Sequence, residues 1–156
     1  MNVAARLRRE QRVSGAINLV LSAAFFLGVF GFAERPLRFA APDNFALDFL
    51  PQAAAIALMS SLVPLLVVSG SLRKSGMGGV SRVGGRGFIA GTVLRVVVAG
   101  LASAAVLGAI CLFGPWREIG WSVALVAKLL YGTGLGVAGT TFALTRLFAH
   151  QGSEPA

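Results

Sequence analysis

The sequence predicts an all-α protein, a four-helix transmembrane bundle with both termini cytoplasmic, and three observations carry that prediction. Four apolar runs, Val13–Ala33, Leu50–Ser69, Phe88–Phe113 and Trp121–Phe148, take up most of the 156 residues. Each meets the length of about 20 residues, at about 1.5 Å rise per residue, that a helix needs to cross about 30 Å of hydrocarbon. Hydrophobic residues make up 56% of the chain and charged residues 13%, and the mean hydropathy is +0.78. Soluble domains carry about 25% charged residues, so little remains here for a soluble domain and the whole chain, 1–156, reads as a single integral membrane domain. The basic residues, finally, cluster beside the apolar runs.

That clustering sets the orientation. Arg6, Arg8, Arg9 and Arg12 precede the first run, Arg73, Lys74, Arg82 and Arg86 follow the second, and Arg146 closes the fourth. The other side has only Arg35, Arg38 and Arg117. The positive-inside rule therefore places the richer side, with both termini, in the cytoplasm. Small size and an Ala/Gly/Arg-rich composition suit a bacterial inner (plasma) membrane. The formal charge of +8 is read as an orientation signal and a contact for anionic headgroups, and nucleic acid is not an expected partner.

The first run permits two readings. A basic arm, an apolar stretch and the small residues Gly31 and Ala33 resemble a secretory signal cut after Ala33. The stretch is longer than the about 7–15 residues of a signal core, and Gly15, Asn18, Ser22 and Gly28 suit packing against other helices. An uncleaved anchor is the expectation. The outer loop Glu34–Phe49 holds turn residues in Pro36, Pro42, Asp43 and Asn44. The inner loop Gly70–Gly87 combines seven glycines with Arg73, Lys74, Arg82 and Arg86. It lacks the Gly-Lys-Ser/Thr ending of a phosphate loop and reads as a linker whose cations face anionic lipid, at about 1 kcal/mol each.

A short connection, Gly114 to Trp121, joins the last two spans, with Trp116 and Trp121 expected in an aromatic belt at headgroup level. A connection this short predicts antiparallel neighbours. Membrane helices associate by close approach across small residues. Gly100, Ala104 and Gly108 on the third span, and Gly132, Gly136 and Thr140 on the fourth, recur at four-residue spacing. The two stripes predict a seam between the third and fourth helices, or a contact with a second copy.

The second span carries Pro51 in its first turn, where the missing N–H is harmless, and Pro64 well inside it. Pro64 removes a hydrogen bond to the carbonyl of Ser60 and is expected to kink or hinge the helix, with Ser60 and Ser61 near enough to help satisfy that carbonyl. Ionisable groups inside a span are costly and are functional candidates. Arg95 and Lys128 qualify. Arg95 is expected to snorkel to the cytoplasmic boundary. Lys128, about 10 Å past Trp121 at 1.5 Å per residue, either snorkels while Asp48 caps the second helix through the Leu50 amide, or pairs with Asp48 at the outer mouth of the bundle. Asn18 is expected to make an interhelical hydrogen bond.

Motifs for chemistry are sparse. Cys111 is the sole cysteine and His150 the sole histidine, so a metal or disulfide site has no support and no cofactor is expected. No His/Asp/Glu constellation offers acid–base chemistry, which argues against an enzyme. A non-enzymatic subunit, scaffold or accessory acting through helix–helix contacts is the leading function. The alternative is a small oligomeric transporter or channel for an anionic or polar solute. A homo-oligomer or another membrane protein is the expected partner.

Overall fold

The computed structural model describes residues 3–74 and 85–152. It is all-α apart from one minimal sheet, in the order α1 (Val3–Phe30), β1 (Leu37–Arg38), α2 (Phe49–Lys74), α3 (Arg86–Phe113), β2 (Glu118–Ile119) and α4 (Trp121–Gly152). All four helices are long and apolar enough to cross a membrane. The glycine-rich segment 75–84, with Arg82, and the tail after residue 152 lie outside the described residues.

The helix boundaries follow from local chemistry. The basic arm continues α1 rather than preceding it, because nothing between Val3 and Val13 breaks a helix. Gly31 ends α1 at φ +72, the left-handed conformation that glycine adopts without a Cβ penalty, and its N–H bonds the Leu27 carbonyl at 2.9 Å. Gly114 ends α3 in the same bonding sense, N–H to Ile110 O at 2.9 Å, with Pro115 next. α2 runs unbroken through Pro64.

The two connections at one end of the bundle pair with each other, Leu37 opposite Ile119 and Arg38 opposite Glu118, in an antiparallel ladder. Leu37, Phe39 and Phe45 are buried beneath it. Sequence reading saw these connections as turns only. Two-residue strands carry no periodic signal, and pairing across such separation is a tertiary event.

Helix adjacency corrects the predicted seam. α4 packs along α1 and α2, and α2 packs along α3, whereas α3 touches α4 lightly and α1 touches α2 lightly. The order in space is therefore a zigzag, α1–α4–α2–α3. The small-residue stripes are used, but on other partners. Gly100 faces Ala57 of α2, where an added Cβ would stand 3.0 Å from the Ala57 Cβ, and Gly108 faces the Ala46 carbonyl at the same distance. Ala104, between them, is fully buried. A Cβ on Gly132 would run into Ser22, and one on Gly136 into Asn18, both on α1. The short connection makes α3 and α4 antiparallel but does not set how far they splay. Tyr131 and Leu135 of α4 reach across the gap toward α3, the Tyr131 hydroxyl to the Gly100 carbonyl at 3.3 Å and to Ser103 Oγ at 2.9 Å.

The two tryptophans of the connection differ in their surroundings. Trp116 is 71% exposed, but Trp121 turns inward: its indole N–H donates to the Gly31 carbonyl at 3.2 Å and its ring meets Phe26 edge-on. The indole donor meets a carbonyl at the end of α1.

Candidate functional site

Lys128 sits on the second turn of α4 and is 1% exposed. Its Nζ lies 2.7 Å from Asp48 Oδ2. The connection before α2 delivers that carboxylate by a chain of local bonds. Asp43 Oδ2 accepts the Arg38 backbone N–H at 2.9 Å and Asp43 grips the Arg35 guanidinium through both oxygens, the shorter at 2.6 Å. Asn44 then takes φ 53, a conformation that Asn tolerates, and its carbonyl accepts the N–H groups of Leu47 and Asp48 at 3.0 and 3.2 Å. The turn carries Asp48 back beneath the loop toward α4. Asp48 immediately precedes α2, but the Leu50 amide bonds the Leu47 carbonyl at 3.1 Å, so the predicted Asp48 cap through that amide gives way to the ion pair.

Aromatic rings enclose the pair. Lys128 Nζ lies 3.9 Å from the centroid of Phe49 and 5.2 Å from that of Phe45, distances at which a cation is attracted to the ring face. Phe45 is packed by Phe30 and Phe39, and Phe49 by Tyr131 edge-on at 5.2 Å. Gln52 closes the floor, donating to Ser22 Oγ at 3.1 Å and the Lys128 carbonyl at 3.4 Å. The outcome is a neutral, water-poor clamp joining α4, α2 and the loop. Such a pair is costly to bury and costlier to break on one side, because the survivor keeps its desolvation penalty.

At the surface, Asp43 and Arg35 answer to each other. The Arg35 hydrogen bond, followed by the Arg38 amide, holds the Asp43 carboxyl below its usual range, and the same carboxylate raises the Arg35 guanidinium.

A second polar group gathers around Pro64. Thr140 Oγ1 of α4 stands 2.9 Å from the Ser60 carbonyl, the acceptor that Pro64 leaves without an amide, and 2.8 Å from Ser14 Oγ of α1. Ser14 Oγ also lies 3.1 Å from the Gly136 carbonyl. The serine hydroxyls expected to serve the Ser60 carbonyl instead bond Ala57 O, from Ser61 at 2.6 Å and Ser60 at 3.4 Å. Their reach points back along their own turn, whereas Thr140 approaches from the side. Asn18 corrects another expectation. Its amide nitrogen donates within α1, to Ser14 O at 2.8 Å and Ser14 Oγ at 3.2 Å, and its Oδ1 has no partner among the described residues. Asn18 meets α4 through close packing on Gly136, which leaves no side-chain donor facing it.

Beside this cluster an apolar cleft of about 210 Å³ opens between α1 and α2, lined by Val13, Ile17 and Leu21 on one rim and Met59, Val63 and Val67 on the other. Ser14, Asn18 and Ser60 belong to it too, with Glu10 at one end. It exists because α1 and α2 both pack on α4 but barely on each other.

The other candidates separate. Arg95 is exposed on α3. Cys111 is partly buried beside the aromatic core. Among the described residues no three His, Cys, Asp or Glu side chains gather into a metal-binding group. Sequence reasoning missed Phe45, Phe49, Gln52 and Thr140 as site residues. Phe45 and Phe49 flank Asp48 in the sequence, a legible signal once the pairing is known, whereas Thr140 reads in the sequence as part of the small-residue stripe of α4. No family model, curated protein or solved structure matches the chain.

Proposed function

We propose that this protein is a multi-pass component of a bacterial-type inner membrane, with both termini cytoplasmic, that works without catalysis as a subunit, scaffold or accessory gripping another membrane protein by helix–helix contact. The observation that carries the reading is the lateral cleft between α1 and α2, whose rims Val13, Ile17, Met59, Val63 and Val67 are all 45% or more exposed. Polar groups elsewhere support it, since Lys128 is matched by Asp48 and the Ser60 carbonyl by Thr140, so they brace the bundle. The arginine-rich arm of α1 would meanwhile rest on anionic headgroups.

A photo-crosslinking residue at Ile17 or Val63, activated in intact membranes, tests the proposal. A discrete adduct larger than the 16.1 kDa chain is expected at both positions and not from Val106 on the exposed face of α3. An adduct of twice that mass would make the partner a second copy. Adducts with lipid alone would remove the reading.

Transport of an anionic solute has one observation behind it, the buried Lys128–Asp48 pair, because an anion that displaced Asp48 would meet a ready cation. Flux into liposomes that disappears in Lys128→Met and partly survives in Lys128→Arg would replace the accessory reading with this one.

A further inference from the structure

We infer that one ordered water molecule is bound between α1 and α4, donating to Asn18 Oδ1, accepting from the Thr133 hydroxyl and filling the room that Gly15 leaves. The inference does not depend on the accessory reading above.

Two atoms point to it. Among the described residues, the buried side-chain nitrogens and oxygens without a partner are Asn18 Oδ1 and Thr133 Oγ1. One is on α1 and the other on α4, helices that pack along each other. Asn18 is 3% exposed. A buried polar atom left unmet is costly, and hydrocarbon offers no bulk water to meet it. The Asn18 amide cannot be turned over, because Nδ2 stands 2.8 Å from the Ser14 carbonyl, which only accepts. Oδ1 therefore needs a donor, and the Thr133 hydroxyl can give or take a hydrogen bond.

Both atoms border the same spot. Helical side chains lean toward the N-terminus of their helix, and the bonds to Ser14 hold the Asn18 amide against the turn of Ser14 and Gly15. Its Cγ stands 2.6 Å from where a Cβ on Gly136 would be, so the amide lies on the α4 side of α1. Thr133, one turn before Gly136, puts its Cγ2 3.7 Å from where a Cβ on Gly15 would be. Side-chain positions three apart on a helix, as at 133 and 136, are separated by about 5–6 Å. Two hydrogen bonds of about 2.8 Å through a single water cover that span, and one direct bond does not.

Gly15 supplies the room. It is buried, and a carbon at its Cβ position would meet Val137 Cγ2 at 3.4 Å and Thr133 Cγ2 at 3.7 Å, ordinary contacts. A methyl group fits there, and a water molecule is no larger. A buried water needs such room and about two to four polar partners, of which Asn18 and Thr133 are two. Through it Asn18 gains a hydrogen-bonded link to α4.

Thermal unfolding of the full chain in detergent, with Thr133→Val, Gly15→Ala and the double variant, tests the inference. Thr133→Val keeps the shape of the side chain and removes the hydroxyl, whereas Gly15→Ala puts a methyl group in the water's place. Each single change should lower the melting temperature, because each expels the water and leaves Asn18 Oδ1 unmet. The double variant should melt no lower than the worse single, since the same water is lost only once.

Three results overturn the inference. An unchanged or higher melting temperature for Thr133→Val would mean that the hydroxyl has nothing to bond. A loss in Thr133→Val beside an unchanged or raised value in Gly15→Ala, where Ala also favours the helix, would mean that the hydroxyl reaches Asn18 directly. Losses that add in the double variant would mean crowding at position 15 and a separate role for Thr133.

Discussion

Thr140 of α4 serves the carbonyl of Ser60 on α2, the acceptor that Pro64 strips of its amide partner, at 2.9 Å. The backbone hydrogen bond missing at Pro64 is thus replaced from a neighbouring helix, and the replacement ties α2 to α4 where α1 also joins through Ser14. A consequence is that the two residues are coupled. Thr140→Val should destabilise the bundle by about 1–3 kcal/mol, the cost of a buried acceptor left unmet. In a Pro64→Ala background the restored amide takes over that carbonyl, and the same change should cost markedly less. Thermal unfolding of the four proteins in detergent measures the cycle, and equal losses in both backgrounds would show that Thr140 does not serve the carbonyl.

Lys128 and Asp48 should behave as a unit. Lys128→Met or Asp48→Leu alone leaves one buried charge and should cost about 3–5 kcal/mol, while the double change, which leaves neither, should be milder than either. Unfolding midpoints decide this. A double variant as damaged as the sum of the singles would mean that the two groups act independently.

The glycines of α4 should differ sharply by position. A methyl group at Gly132 or Gly136 meets Ser22 or Asn18, and at Gly134 it meets nothing within 4 Å. Gly136→Ala and Gly132→Ala should lower the melting temperature. Gly134→Ala should leave it unchanged or raise it slightly, since Ala exceeds Gly in helix propensity by up to about 1 kcal/mol. Similar melting for all three would place α1 elsewhere.

Acid should loosen the loop end of the bundle. Asp43 has its carboxyl held below its unfolded value, so its contribution is fully present above about pH 4 and is lost as the pH falls through the depressed folded value. Hydrogen exchange of the Arg38 amide, followed from neutral pH into acid, should report the opening. Asp43→Asn should remove that pH dependence and leave the exchange already raised at neutral pH. Arg35 ionises too high to matter in that range.

Orientation is open to direct measurement. Cytoplasmic reporters fused near Ser75 or after Ala156 should be active, and an export-dependent reporter should be active near Asp43 and Arg117. Replacing Arg73, Lys74, Arg82 and Arg86 together should weaken the preference. The reverse activity at Ser75 would overturn the assignment of sides.

The sequence by itself determined the four helices, their boundaries to within a few residues at Phe49, Phe113 and Trp121, and the short list containing Lys128, Asp48 and Asn18. Each of these is a local property. An apolar run of sufficient length forms a helix in hydrocarbon because its backbone groups have no other partner, and a charge inside such a run stands out by composition alone. What only the tertiary structure decided is which helix meets which. The stripe of Gly132 and Gly136 shows that something comes close, but glycine has no side chain that names its partner, and the partner is Ser22 and Asn18 of α1 rather than α3. Likewise Asp48 had two local prospects, a cap or an ion pair. The choice fell to the turn at Asn44 and to the rings of Phe45 and Phe49, whose enclosure of the lysine requires chain segments about 80 residues apart to arrive together.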